Sequence, residues 1–227
     1  MTYTIQLADA DHVHQIVAIV NQEAQRSTAT AAFVDEPVDR WVASYLNTHH
    51  KLPWLVALDT ERAVGDRVIA FAKGSYYNAR EGFQWSVELS VYARPDYHGQ
   101  GIARRLYTQL FHLLAVQGYH RVYARIALPN ISSQRLHEQF GLTQTGLLPQ
   151  FAWKFGHWYD VAIYTGLITH SSQSDLPPPA KPRPTLSVLE GWRFIDTLKR
   201  QQDLGAKDGS VDQTSRVDQD VISSSHT

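Results

Sequence analysis

The residue patterns of this chain predict an α/β (α+β) layer fold, in which strands and helices alternate around one mixed sheet. Short apolar or alternating runs bounded by turn residues recur from residue 3 to residue 165, with helical stripes between them. Residues 84–92, QWSVELSVY, put apolar side chains on both faces of a strand, as expected of a strand covered from two sides. Two glycines, Gly99 and Gly101, then open directly onto a helix.

Taken in order, residues 3–7 alternate as a first strand, and Asp9 or Asp11 caps a helix whose stripe is Val13, Ile16, Val17 and Val20. Residues 25–34 are small and polar, a loop over a site, and Phe33 within it either lines a pocket or tucks under a helix. Pro37 introduces a second helix through Val38, Trp41, Val42 and Tyr45. PWLVALD at 53–59 and RVIAFAKGSYY at 67–77 are strands, with a Gly65-Asp66 turn between antiparallel neighbours. The polar turn 78–83 carries Arg80, whose planar fork suits a carboxylate or phosphate; a solvated surface arginine is the other reading. The strand 84–92 follows, with Glu88 in its middle, and a carboxylate there is costly to bury unless it is paired or has chemical work.

Pro95 stops that strand, and His98-Gly99-Gln100-Gly101-Ile102-Ala103 leads into a helix striped by Ile102, Leu106, Leu110, Leu113 and Leu114. Glycines before a helix let backbone N–H groups converge, and the helix dipole adds to their attraction for phosphate. The run lacks the third glycine of a dinucleotide fingerprint, and no Gly-Lys-Ser/Thr follows for a nucleotide-phosphate loop. HRVYARI at 120–126 is the next strand. Leu128-Pro129-Asn130 then precedes the helix ISSQRLHEQF, closed by Gly141. LLPQFAW or its neighbour and WYDVAIYT at 158–165 complete the sheet.

The balance of 21 Lys and Arg against 22 Asp and Glu leaves no basic field for nucleic acid or a membrane surface. Cysteine is absent, which excludes disulfides and protein thiolate chemistry and suits a reducing compartment. The start, MTYTIQLADADH, has no basic region followed by an apolar core, and the chain reads as cytoplasmic. The histidines, including His12 with His14 and His49 with His50, lack a ligand set, so no metal is expected. Residues 1–168 form the domain, 169–185 a Ser/Pro-rich linker, 186–202 an amphipathic helix and 203–227 a disordered tail.

Four separated segments, VELSVY, HGQGIARRLY, LPNISSQRLHEQFG and KFGHWYDV, occur in an order that resembles the GNAT superfamily of acyl-CoA-dependent N-acyltransferases. Within it the chain looks like the phosphinothricin and methionine-sulfoximine acetyltransferases over roughly residues 3–168. The resemblance implies a mixed, mostly antiparallel central sheet flanked by helices, and acetyl-CoA as cosubstrate. It aligns the family's phosphate signature with His98, Gly101 and Ala103, where His98 departs from the usual Arg or Gln. It implies that Val91, Tyr92 and Ala93 pair with the pantetheine arm, that Gly99, Gln100, Gly101, Ile102, Ala103 and Arg104 cradle the pyrophosphate, and that Asn130 contacts the cofactor. On the acceptor side it implies Asn78, Ala79, Arg80 and Ser90.

The chemistry so implied is direct attack of an amine on the acetyl thioester. An α-amino group with a pKa of about 8 must lose a proton first, which makes Glu88 the candidate base. His137 is the candidate acid for the leaving thiolate, and Arg80 the holder of a substrate carboxylate. The expected partner is a small-molecule amine, with neither nucleic acid nor membrane. A homodimer is expected as well; the aromatic density of FAWKFGHWYD suits it, and core packing explains the same aromatics equally well. Two rival readings are a protein N-terminal or lysine acetyltransferase, favoured by an open groove near Phe33, Phe83 and Trp158, and a non-catalytic acyl-CoA-binding module.

Overall fold

The computed structural model describes residues 2–168 and 180–189. Its sheet has seven strands in the order β1-β2-β3-β4-β5-β7-β6. These are β1 (Tyr3–Leu7), β2 (Trp54–Asp59), β3 (Val68–Tyr76), β4 (Ser86–Ala93), β5 (Arg121–Ala127), β6 (Thr143–Lys154) and β7 (His157–Leu167). Every neighbouring pair is antiparallel except β4 with β5. The mixed, mostly antiparallel sheet is thus the one expected.

Alternation along the strands builds the two core layers. Trp54, Val56 and Phe71 pack against Val13, Ile16, Val17 and Val20 of α1 (His12–Arg26) and Tyr45 of α2 (Val38–Thr48). Leu55, Ala57, Ala70 and Ala72 turn the other way, where α3 (Ile102–Gln117) buries Leu106, Leu110, Leu113 and Leu114 against β2, β3 and β4. Each such leucine contributes about 1.5–3 kcal/mol of burial. α4 (Ile131–Gln139) joins α3 through aromatic contacts, Phe140 lying 5.5 Å from Tyr107 and 4.9 Å from Phe111 between ring centroids. Asp9 is the side chain that caps α1, its Oδ1 accepting the His12 N–H at 3.1 Å. Pro37 stands just before α2 rather than in its first turn.

One topological feature positions the site. β4 and β5 pair only over Ser86–Glu88 and Arg121–Tyr123, and beyond Glu88 the two strands part. A parallel pair needs a long crossover, and α3 supplies it, so its N-terminus lies beside the end of β4.

Residues 180–185 do not behave as the linker expected for 169–185. Trp85 donates its indole N–H to the Ala180 carbonyl at 3.0 Å, the Arg183 N–H reaches the Gln117 carbonyl at 2.8 Å, and the Thr185 N–H reaches that of His50 at 2.8 Å. Thr185 and Val188 are buried, and the compact unit extends to Leu189. The polar groups at the end of α3 recruit this strap: buried Gln117 donates its amide to the carbonyls of Lys51 and Arg183. The remainder of the expected helix 186–202 and the tail 203–227 lie outside the described residues.

Candidate active site

A cleft of about 1360 Å³ follows the gap between β4 and β5, from the start of α3 to the loop joining α1 and α2. At the α3 end the backbone is set for an anion. Gly99 and Gly101 have φ of +74° and +75°, a left-handed conformation that side-chain-bearing residues resist. The first backbone bond into the helix runs from the Arg105 N–H to the Gly101 carbonyl at 3.1 Å. The amides just ahead of it have no carbonyl a turn earlier to meet. Gly99, Gly101, Ile102, Ala103 and Arg104 line the cleft. Gln100 does not; it is exposed, and its side-chain amide bonds the Asp96 carbonyl at 2.9 Å.

Three contacts fix the loop before the glycines. The Tyr97 hydroxyl donates to Asp59 Oδ2 at 2.8 Å, and Arg94 donates from its Nε to the Val68 carbonyl at 2.9 Å while also pairing with Asp66. His98 lies with Nε2 2.9 Å from the Ala93 carbonyl, so that nitrogen carries the proton. The histidine that departs from the family signature therefore ties its loop to the end of β4. The Asp59 carboxyl is held below its usual range, first by the Glu61 N–H and then by the Tyr97 hydroxyl.

Along the gap, Val91, Tyr92 and Ala93 face Ala124, Ile126 and Ala127 across the cleft. A strand that has lost its neighbour keeps N–H and C=O groups for an extended ligand to satisfy. Asn130 also lines the cleft. Its Oδ1 caps α4 by accepting the Ser133 N–H at 3.1 Å, which leaves the amide donors uncommitted.

Glu88 sits where the strands separate. It lines the cleft, and Arg125 of β5 donates Nε–H to its Oε1 at 2.9 Å. Both halves of the sequence argument apply: the carboxylate is paired, and it also faces an open space. That contact leaves Oε2 unengaged, able to take a proton. Ser90 lines the cleft one pleat further along β4.

Asn78, Ala79 and Arg80 are not brought into this cleft. All three are exposed on the turn after β3, where the Arg80 N–H is bound by Asn78 Oδ1 at 2.9 Å. The asparagine serves its own turn, and Arg80 is not among the residues that line the cleft.

His137 is brought in, but not as a ready acid. Its Nδ1 lies 2.7 Å from the Ser133 carbonyl, which can only accept, so the proton is on Nδ1. Its Nε2, 3.0 Å from the Tyr107 hydroxyl, accepts from it. Burial lowers its pKa from the usual value, so the ring stays neutral and has no spare proton for a thiolate.

Residues that sequence reasoning passed over complete the walls: Trp41, Lys73, Tyr107 and Arg125 above all. Lys73, in the apolar run VIAFAKGSY, carries the signal that singled out Glu88, a charge in a buried strand. Arg125 had no comparable signal, because HRVYARI reads as an ordinary alternating strand.

The sequence matches the Acetyltransferase (GNAT) domain family over residues 3–163. It is 32% identical over 186 residues to a phosphinothricin N-acetyltransferase of Streptomyces viridochromogenes, covering 82% of this chain and 94% of that protein. It is 33% identical over 166 residues to an L-methionine sulfoximine/L-methionine sulfone acetyltransferase of Pseudomonas aeruginosa, covering 72% and 93% respectively. Among solved structures it is similar to a GNAT superfamily phosphinothricin acetyltransferase from Sinorhizobium meliloti in complex with AcCoA. That match has a TM-score of 0.71 and 26% identity over 78% of this chain and 94% of the other.

Proposed function

The chain belongs to the GNAT acetyltransferase family and is an N-acetyltransferase; from that premise we propose that it moves acetyl from acetyl-CoA to the amino group of a small amino-acid-like acceptor, of the phosphinothricin or methionine sulfoximine kind. The observation that carries the reading is the shared cleft: Glu88 and the amides at the head of α3 line one continuous space along the parting of β4 and β5. Relatives acting on phosphinothricin and methionine sulfoximine support the acceptor, and the AcCoA complex of the Sinorhizobium protein supports the donor.

In this reading the amides of Gly99 to Arg104 hold the pyrophosphate, and the free edge of β4 at Val91 to Ala93 receives the pantetheine arm. Glu88 takes a proton from the acceptor ammonium through Oε2, directly or by one water, and Arg125 keeps the carboxylate turned toward the gap. The amine nitrogen then bonds to the thioester carbonyl carbon. A backbone N–H of β4 bears the oxyanion, the C–S bond breaks, the nitrogen sheds its second proton to solvent to leave the neutral amide, and the thiolate takes one proton from solvent. A thiol with a pKa of about 8.5 is a good enough leaving group to need no dedicated acid.

Phe83 and Trp158 are exposed yet do not line the cleft with Phe33, which favours a small acceptor over a peptide groove. Residence in the cytoplasm and pairing as a homodimer belong to the same reading. The exposed Phe151, Trp153, Phe155 and Trp158 of the β6–β7 hairpin support the latter.

The test is thiol release from acetyl-CoA against amino acids, phosphinothricin, methionine sulfoximine and a peptide. Glu88→Gln should lower kcat by about 10²-fold or more while leaving acetyl-CoA binding intact. Equal turnover by the two proteins rejects Glu88 as the base.

A further inference from the structure

Lys73 lines this cleft with no carboxylate within ion-pair distance among the described residues. It lies in β3 opposite Ser90 of β4, one pleat from the pair Ser75–Glu88, so it shares a sheet face with the candidate base. Its Nζ bonds the Ser75 hydroxyl at 2.7 Å and sits 4.6 Å and 5.3 Å from the ring centroids of Trp54 and Trp41.

The acidic groups that face this space are already engaged. Glu88 is bound by Arg125, Glu23 of α1 by Ser27 and Arg26, and Glu36 before α2 by Arg40 and the Trp41 indole. Among the described residues none of them is within ion-pair distance of Lys73. The two indole faces attract an ammonium but leave its N–H donors short of acceptors. The environment therefore asks for an anion, and desolvation already lowers the Lys73 pKa to about 8.

We infer that Lys73 is the acceptor-recognising residue of the site, binding the carboxylate of an α-amino-acid-like substrate whose amine faces Glu88. The inference rests on the proposed acetyl transfer to a small amine, and it moves the anion-holding role from exposed Arg80 to a residue on the cleft wall. The spacing suits it. Diagonal neighbours on adjoining strands have Cβ atoms roughly 7–8 Å apart, and Lys73 and Glu88 line the cleft from that one face. An amino acid bound between them would present its carboxylate to Lys73 and its amine to Glu88. Ser90, opposite Lys73 and lining the cleft, offers a further hydrogen bond to the same carboxylate.

The experiment compares matched acceptors, each an α-amino acid and its carboxamide, on the native chain, Lys73→Met and Lys73→Arg. The readout is KM for each acceptor at saturating acetyl-CoA. The native chain should favour the acid. Lys73→Met should raise the acid's KM roughly ten- to a hundredfold, the weight of one charge-assisted hydrogen bond, and leave the carboxamide's unchanged. Lys73→Arg should keep the preference. Thermal stability of Lys73→Met at neutral pH should equal or exceed the native value, because a desolvated ammonium is removed. A purely structural lysine would lower it instead.

An unchanged acid-to-carboxamide ratio in Lys73→Met overturns the inference while leaving acetyl transfer standing. Absence of thiol release with every acceptor overturns the proposed reaction instead. Calorimetric binding of the acid and its carboxamide to the CoA-loaded proteins then decides Lys73 alone: equal binding by native and Lys73→Met protein rejects it.

Discussion

In the proposed reaction Arg125 and His137 separate the two kinds of residue in this cleft, one that orients the reacting carboxylate and one that holds the walls together. Arg125 is half exposed, so its pair with Glu88 adds only about 0–1 kcal/mol to stability. Arg125→Ala should leave the melting temperature within a few degrees yet lower kcat/KM roughly ten- to a hundredfold, since a misaimed base is a poor one. His137→Leu should do the reverse. It strands the buried Tyr107 hydroxyl at a cost of about 1–3 kcal/mol, seen in denaturant melts, and changes kcat by less than about tenfold. The pH dependence has a definite sign. His137 is held neutral by burial, so its contribution to stability is present above the unfolded pKa of about 6.5 and is lost as the pH falls through the lowered folded value. The leucine variant should lack that part of the acid-side slope. At this scale Glu88 was legible because a charge inside an apolar strand demands a reason. Its partner was not, because nothing in spacing says which arginine a sheet register brings across.

In the proposed reaction the loop from Arg94 to Gly101 is the element on which cofactor affinity should turn. Gly101 has open space where a Cβ would go, so Gly101→Ala meets only backbone strain. The expected result is a loss of about 1–2 kcal/mol in urea melts together with a higher KM for acetyl-CoA. Asp59 and Tyr97 anchor the same loop from β2. Because the Asp59 carboxyl is held below its usual range, its contribution is present above the unfolded pKa of about 3.9 and disappears as the pH falls through the folded one. The glycines and the helix behind them could be read from sequence, as could every strand, because periodicity and turn residues are local signals. The contacts that brace the loop could not: Asp59 and Tyr97 stand 38 positions apart.

Across the whole molecule, acetyl-CoA should act as a stabilising ligand. At a hundred times its Kd the gain is about 2.7 kcal/mol, which for a chain of this size raises the melting temperature by roughly 5–10 °C. The strap 180–189 gives a second test. A chain ending at Ile168 should melt several degrees below one ending at Leu189, since burying Val188 alone contributes about 1.5–3 kcal/mol and Gln117 loses an acceptor. Composition hid this strap, for a proline-rich run reads as a spacer whatever surface it lies on. By itself the sequence determined the order of elements, the family, the glycine turn at the head of α3 and the carboxylate in β4, because these are encoded by neighbours in the chain. The tertiary structure decided where β4 leaves β5, that Arg125 holds Glu88, that Arg80 stays outside and that Lys73 faces the gap. Those are matters of register and burial between strands distant in sequence, and no local pattern carries them.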